Sequence, residues 1–270
     1  MSRRHVLVLI ASWAAGAGCL SGSSPLPPLP PGGHHVLFIG NSLTYVNDLP
    51  GTLAAIAASA GDTIRVATDA GPNLALIDHL TGSTAALAHI REGGWEYVIL
   101  QQGPTPAGIC RDSLVLWTKM FDPYIKAAGA RTAVFMAWPY AGPLEWFDEI
   151  QLSFQAAAAG VNAVYMPAGE AWRSALQKDP TLTLYGSDGF HPTPTGTFLA
   201  ALEIYERITG RDARTIPPRA FANGQPLALP EVTVRLLQSA AHDANGRFPA
   251  SADLAPPRAL ATHTAIAGHC

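Results

Sequence analysis

Apolar and polar positions form a regular series of blocks along residues 34–248 of this 270-residue chain. Short apolar runs, each ending in a turn, alternate with longer segments whose apolar positions recur at helical spacing. The runs predict five strands, at residues 36–39, 63–68, 97–100, 132–137 and 163–166. The longer segments predict helices at residues 49–60, 74–79, 85–90, 114–128, 144–159, 168–177, 194–209 and 228–246.

The alternation of strand and helix predicts an α/β domain over residues 34–248. Parallel strands joined by right-handed helical crossovers give a three-layer αβα sandwich. We expect a flavodoxin-like five-stranded sheet in the order 2-1-3-4-5. Asp48 and Thr193 are suited to cap the helices that follow them, and Gly61 and Gly210 to end helices.

Composition indicates a globular protein without a basic surface. Hydrophobic residues make up 48% of the chain and charged residues 14%, and the formal net charge is −3 at pH 7. A nucleic-acid-binding protein needs a surplus of Lys and Arg to neutralise phosphates. The balance therefore argues against nucleic acid as the main partner.

The N-terminus resembles an export signal. Arg3 and Arg4 precede an apolar run that is too short to span a membrane, and small residues lead to Cys19. Residues 1–18 resemble the signal peptide of a bacterial lipoprotein, which implies lipidation of Cys19; ordinary secretion is the alternative. We expect an exported protein, in the cell envelope or secreted, whose only membrane contact is that lipid.

The segments that flank the domain have a different composition. Residues 19–33 are rich in Ser and Pro and predict an extended tether. Residues 249–270 are rich in Ala and Pro and predict a poorly ordered tail. Cys110 and Cys270 could pair in an oxidising compartment, but two distant cysteines do not by themselves establish a bridge.

Polar and small residues follow the predicted strands at four places, namely 40–42, 71, 101–105 and 188–191. The carboxyl ends of parallel strands meet at one edge of a sheet, so these stretches should lie together. Serine hydrolysis needs a hydroxyl, a base and a group that orients the base. Ser42, His191 and Asp188 are the candidates for these three roles.

The same chemistry needs hydrogen-bond donors for the oxyanion of the tetrahedral intermediate. The backbone N–H groups of Ser42 and Gly71 are candidates, together with the side-chain amide of Gln101 or Gln102. Strand alternation points the two glutamines to opposite faces, so only one should serve. We favour Gln101.

These motifs resemble the blocks of the SGNH/GDSL hydrolase superfamily. Gly40-Asn41-Ser42 is similar to its first block, Gly71 to the glycine of the second, and Asp188-Gly189-Phe190-His191 to the last. The resemblance implies a carboxylic ester hydrolase with a serine nucleophile. The third block, Gly-x-Asn-Asp, is missing, and residues 100–104, LQQGP, look like a variant branch that uses glutamine there.

Other residues near the same edge have two interpretations. Trp138 and Tyr140 follow the fourth strand and could form an apolar or sugar-stacking wall for substrate, or pack in the core. Asn41 could line the site but is better suited to shaping the turn. The histidines show no metal-ligand spacing, so we expect no metal and no cofactor.

The leading hypothesis is an exported serine esterase that acts on a small-molecule or glycan ester. One alternative is a non-catalytic flavodoxin-like module that binds an anion at the Gly40-Asn41-Ser42 turn. Another is a degenerate hydrolase retained for glycan binding, which the missing Asn suggests. Neither the acyl group nor the alcohol of the substrate follows from the sequence.

Overall fold

The computed structural model describes residues 30–105 and 108–250. Its central sheet contains five strands, all paired in parallel, in the order β2-β1-β3-β4-β5. The strands are β1 (His34–Gly40), β2 (Ile64–Ala70), β3 (Tyr97–Gln101), β4 (Arg131–Phe135) and β5 (Val164–Met166). The predicted sheet and its strand order are confirmed.

Two groups of helices cover the sheet. The helices are α1 (Ser42–Tyr45), α2 (Leu49–Ser59), α3 (Leu76–Leu80), α4 (Ala86–Glu92), α5 (Ile109–Ala127), α6 (Trp146–Ala159), α7 (Ala168–Lys178), α8 (Pro194–Thr209) and α9 (Glu231–Arg247). Helices α2, α7, α8 and α9 form one packed group, and α3 to α6 form the other. This is the three-layer arrangement that the sequence predicts.

Strand β1 lies at the centre of the core, between β2 and β3. Its residues Val36 to Ile39 are completely buried, which explains why they form a continuous apolar run rather than an alternating one. The chain leaves β1 toward β2 on one side, and the later strands are added on the other side. The carboxyl end of β1 is therefore the switch point of the sheet, where open α/β folds bind ligands.

The local helix signals are partly confirmed. Asp48 accepts a hydrogen bond from the Gly51 N–H at 3.0 Å, and Thr193 accepts one from the Gly196 N–H at 3.2 Å. Gly210 ends α8 with a φ of 68°, in the left-handed region. Helix α5 begins at Ile109, five residues before its predicted start at residue 114.

Two small elements were not predicted. A one-turn helix, α1, begins directly at Ser42, and a hairpin joins β6 (Ala220–Ala222) to β7 (Gln225–Leu227). Its two turn residues, Asn223 and Gly224, have φ values of 51° and 66°. Asn-Gly is a strong signal for such a turn, so the sequence did contain the evidence for this hairpin.

The predicted signal peptide, Cys19, and most of the predicted tether and tail lie outside the described residues. Cys110 is a described residue and is disulfide-bonded. The other two cysteines of the chain, Cys19 and Cys270, are not among the described residues. Among the described helices, none combines the length and the apolar character that a bilayer crossing requires.

Candidate active site

Ser42 lies at the turn between β1 and α1. Asn41 caps α1 by accepting a hydrogen bond from the Leu43 N–H, at 3.1 Å. A Cβ atom on Gly40 would come within 2.5 Å of both Gln101 Oε1 and Thr44 Oγ1, so only glycine fits there. Ser42 is 8% exposed, so only a small part of its surface is open to solvent.

His191 and Asp188 lie next to this turn, although almost 150 residues separate them from Ser42 in the chain. The distance between His191 Nε2 and Ser42 Oγ is 2.9 Å, and that between His191 Nδ1 and Asp188 Oδ2 is 2.5 Å. The structure therefore brings the three predicted residues together in the order hydroxyl, imidazole, carboxylate. This order is the one that proton transfer from a serine requires.

Asp188 also shapes the loop that carries His191. Its Oδ1 accepts hydrogen bonds from the backbone N–H groups of Phe190, at 2.9 Å, and His191, at 3.0 Å. The hydrogen bond from the His191 ring, followed by that from the Phe190 N–H, lowers the pKa of Asp188 to about 2. The carboxyl group is therefore ionised at neutral pH and accepts from Nδ1–H, which leaves Nε2 free to accept the Ser42 proton.

Asn47, between α1 and α2, connects the two halves of this arrangement. Its Nδ2 donates hydrogen bonds to the carbonyl of Pro192 at 2.8 Å and to Thr197 Oγ1 at 3.1 Å. Its own carbonyl accepts from the Asn223 N–H of the hairpin at 2.9 Å. Sequence reasoning did not identify Asn47, because the signal depends on contacts across more than 140 residues.

His79 of α3 lies next to the end of β1, and no motif in the sequence indicates its role. It is 1% exposed, and its Nε2 lies 3.0 Å from the Gly40 carbonyl, to which it must donate. Its Nδ1 then accepts from the Thr84 hydroxyl at 2.9 Å. Burial lowers the pKa of His79, so the ring is neutral and fixes the end of β1.

The expected oxyanion donors have unequal surroundings. The Gly71 N–H donates to the Gly40 carbonyl at 3.3 Å, so it is already engaged. Gln101 Oε1 accepts from the Asn41 N–H at 2.9 Å and the Thr44 hydroxyl at 2.8 Å. Gln102 Oε1 accepts from the Leu76 N–H at 3.1 Å. Both glutamine Nε2 atoms are buried without a hydrogen-bond partner among the described residues.

Of the two aromatic residues that follow β4, one is buried and the other is exposed. Trp138 is completely buried and stacks on Trp172 at 3.7 Å between ring centroids, so of its two interpretations the structure supports core packing and not a substrate wall. Tyr140 is 50% exposed and stacks on Phe190, at 4.4 Å between ring centroids. Asn41 uses both ends of its amide within the protein, because Nδ2 also donates to the Leu74 carbonyl at 3.1 Å.

One cluster of potential metal ligands occurs within the described residues, formed by Glu206, Asp212 and His242. His242 Nδ1 lies 2.8 Å from Glu206 Oε1 and 3.3 Å from Asp212 Oδ1. Arg214 occupies both oxygens of Asp212, with its NH2 group 2.7 Å from Oδ2. The carboxylates are thus already paired with cationic or hydrogen-bonding groups of the protein, and the cluster is a salt-bridge network on the α8–α9 side.

Two solved structures define the class of fold. A protein from Slackia heliotrinireducens described as "a putative SGNH hydrolase" is 27% identical with a TM-score of 0.55, covering 65% of this chain and 99% of that one. A DUF4886 family protein from Bacteroides uniformis is 19% identical with a TM-score of 0.67, covering 78% and 94% of the two chains. No protein-family model and no curated protein matches the chain.

The likeness to these structures is one of fold rather than of overall sequence. In its five-stranded parallel sheet and strand order, the chain has the fold of SGNH/GDSL hydrolases. Gly40-Asn41-Ser42 forms the turn after β1, and Asp188 to His191 form the loop before α8. These are the two segments whose sequences resemble the first and last blocks of the superfamily.

Proposed function

We propose that the protein is a serine-dependent carboxylic ester hydrolase in which Ser42, His191 and Asp188 form the catalytic triad. The observation that carries the proposal is the pair of short contacts from the His191 ring, to Ser42 Oγ at 2.9 Å and to Asp188 Oδ2 at 2.5 Å. An anion-binding module would need neither the imidazole nor the carboxylate. The SGNH-type fold supports the same class of reaction.

In the acylation step, His191 Nε2 removes the proton of Ser42 Oγ while that oxygen attacks the ester carbonyl carbon. The resulting tetrahedral intermediate collapses as its bond to the alcohol oxygen breaks, and His191 returns the proton to that oxygen. Water then attacks the carbonyl carbon of the acyl-serine while His191 takes its proton. The bond to Ser42 Oγ breaks, the carboxylic acid leaves, and His191 returns the proton to Ser42. The carboxylate of Asp188 holds the imidazole and stabilises its protonated form throughout.

For the oxyanion, we infer that the donors are the Ser42 N–H and the amide of Gln102. The Gln101 carbonyl accepts from two donors of the nucleophile turn, whereas the Gln102 carbonyl accepts only from the Leu76 N–H, and on this difference we assign Gln101 a positioning role instead of the donor role that the sequence favoured. The Gln102 Nε2 is unpartnered but covered, so an oxyanion can reach it only if this side chain or the Gly103 turn shifts.

The proposed setting is the cell exterior. The signal-like N-terminus, Cys19 and the Ser/Pro-rich tether support an envelope lipoprotein or a secreted enzyme. An enzyme in that place meets O-acylated glycans, which makes glycan or small-molecule esters the substrates that we propose.

The test is hydrolysis of esters from acetate to palmitate by wild-type protein, Ser42→Ala and Asp188→Asn. We expect Ser42→Ala to abolish turnover and to unfold at the wild-type temperature. Asp188→Asn should lower kcat by about 10³–10⁴-fold, because an amide NH2 facing Nδ1 selects the wrong imidazole tautomer.

Near wild-type turnover by a folded Ser42→Ala protein would exclude Ser42 as the nucleophile. Failure of the wild-type protein to hydrolyse any ester, with glycans still bound, would favour the degenerate hydrolase. Activity that a chelator abolishes would contradict the metal-free mechanism.

A further inference from the structure

Tyr140 and Phe190 form an aromatic pair, hereafter the Tyr140–Phe190 pair, directly beside the base of the triad. Their rings are 20° from parallel, and the Phe190 ring meets the His191 imidazole edge-on at 5.0 Å between centroids. Tyr140 is half exposed. A stacked aromatic pair that stays partly exposed beside the candidate base offers an apolar surface to a bound ligand.

Three hydrogen bonds fix the two loops that carry the pair. The Ala141 N–H donates to the Gly189 carbonyl at 2.8 Å. Trp138 Nε1 donates to the Phe190 carbonyl at 3.0 Å, and the Tyr185 hydroxyl donates to the Pro139 carbonyl at 3.1 Å. The aromatic surface is therefore preorganised, so that a ligand packed on it would not have to order it first.

The direction of the reaction decides which part of an ester would meet this surface. His191 returns its proton to the leaving alcohol, so the alcohol oxygen must lie within hydrogen-bond reach of Nε2. The carbonyl oxygen of the ester points the other way, toward the proposed oxyanion donors, the Ser42 N–H and the Gln102 amide. A group attached to the alcohol consequently extends past the imidazole, where the Tyr140–Phe190 pair lies.

We propose that the Tyr140–Phe190 pair is the subsite for the alcohol part of the substrate and binds a ring with a flat apolar face, as a pyranose or an aryl group has. The proposal rests on the esterase function proposed above and adds the substrate class to it. Aromatic stacking contributes a factor of about three to ten in binding. That contribution should appear in KM, since the ring is bound equally in the ground and transition states.

The experiment compares three acetate esters of primary alcohols, namely benzyl acetate, 6-O-acetyl methyl glucoside and ethyl acetate. We expect Tyr140→Leu to raise KM for at least one ring ester by about three- to tenfold, with kcat and the ethyl ester unchanged. Tyr140→Phe should retain the wild-type KM because it keeps the ring. Tyr124→Leu is the matched control, because Tyr124 is 42% exposed near the C-terminal end of α5, away from this edge of the sheet.

An effect confined to the glucoside identifies a sugar subsite, and one confined to the benzyl ester identifies an aryl subsite. Equal losses for all three esters, or losses in kcat alone, would mean that Tyr140 only supports His191 and would overturn the proposal. Unchanged kinetics with both ring esters would do the same.

A binding measurement separates this proposal from the esterase proposal. Saturation-transfer NMR would compare the binding of benzyl alcohol and methyl glucoside to three proteins, namely Ser42→Ala alone and Ser42→Ala combined with Tyr140→Leu or with Tyr140→Phe. Signal that is lost with Tyr140→Leu and kept with Tyr140→Phe supports the subsite even if no ester is hydrolysed. Equal signal in all three proteins refutes it, whatever the esterase assays show.

Discussion

Gln101 and Gln102 are neighbours in the sequence but have different surroundings in the fold. Gln101 faces the end of β1 and accepts hydrogen bonds from the Asn41 N–H and the Thr44 hydroxyl. Gln102 faces the start of α3 and accepts from the Leu76 N–H. Strand alternation predicts the opposite directions of the two side chains but not which direction leads to the oxyanion.

Alanine variants of the two glutamines should therefore fail in different ways. Gln102→Ala should lower kcat by about 10²–10³-fold with KM little changed, because a lost oxyanion donor affects the transition state. Gln101→Ala should lower kcat and should lower the melting temperature more than Gln102→Ala does, because it leaves two buried donors without an acceptor, the Asn41 N–H and the Thr44 hydroxyl, whereas Gln102→Ala leaves one, the Leu76 N–H. Steady-state kinetics and thermal unfolding of both variants provide the measurement.

The control is Gln177→Ala, on α7, which should match the wild type in kcat. If Gln101→Ala loses kcat without losing stability while Gln102→Ala keeps full kcat, Gln101 is the donor and the sequence preference is correct. Full kcat in both variants would exclude an amide donor at this strand end.

At the scale of elements, the hairpin of β6 and β7 supports the site indirectly, through Asn47. The Asn223 N–H holds the Asn47 carbonyl at 2.9 Å, and the Asn47 side chain holds the Pro192 carbonyl at 2.8 Å. Pro192 directly follows His191, so the position of the base depends on an element about 30 residues beyond it. Asn47 makes these hydrogen bonds with its backbone in the left-handed region, at a φ of 56°.

Asn47→Gly removes the side-chain donor while glycine keeps the left-handed backbone free of strain. We expect kcat to fall by about ten- to hundredfold, because a small displacement of a catalytic group is costly. KM should change little, and the measurement is steady-state kinetics on a short-chain ester.

Asn162→Gly is the matched control, since Asn162 has the same φ of 56° in the turn after α6. It should keep the wild-type kcat. Equal losses in both variants would show that glycine flexibility, rather than the lost hydrogen bonds, explains the effect.

The parts of the fold that the sequence predicts are those with strong local signals. The buried run Val36 to Ile39 identifies β1, and Asp48 and Thr193 identify two helix starts because capping depends on neighbouring N–H groups. Because the carboxyl ends of parallel strands meet at one edge of the sheet, the sequence alone then predicts that Ser42 and His191 lie close together. His79 and Asn47 were missed because their partners, Gly40 and Pro192, are remote in the chain. Trp138 and Tyr140 carry the same strand-end signal, and only tertiary packing separates the buried ring from the exposed one.

At the scale of the whole molecule, α9 closes the side of the domain formed by α7 and α8, and ionisable groups are buried beneath it. Glu203 of α8 is completely buried, and neither of its carboxylate oxygens has a hydrogen-bond partner among the described residues. Arg207 Nε lies 3.7 Å from Glu203 Oε1, which gives attraction without a hydrogen bond. Another Arg207 nitrogen donates to the Phe248 carbonyl just after α9, at 2.7 Å.

Burial raises the pKa of Glu203 to about 8, from an ordinary value of 4.5, and the charge of Arg207 only partly opposes this. The folded protein therefore binds one more proton at this group than the unfolded chain between about pH 4.5 and pH 8. The free energy of unfolding should fall as pH rises through this window, and the contribution should be constant above it. The carboxyl group is neutral at pH 6 and must be ionised in the folded state at pH 9.

Glu203→Gln tests this, because the amide resembles the protonated carboxyl in shape but cannot ionise. We expect its melting temperature to exceed that of the wild type by more at pH 9 than at pH 6, because the penalty of the ionisable carboxyl still grows between these pH values, with the gap widening by at least about 2–4 °C, equivalent to about 1 kcal/mol. The exposed Glu231→Gln on α9 is the control and should show no such difference between the two pH values. If Glu203 were instead ionised and paired with Arg207 at neutral pH, Glu203→Gln would be less stable than the wild type at both, since removing one partner leaves a buried charge unpaired. Thermal unfolding at pH 6 and pH 9 distinguishes the two states of the carboxyl group by the sign of the change.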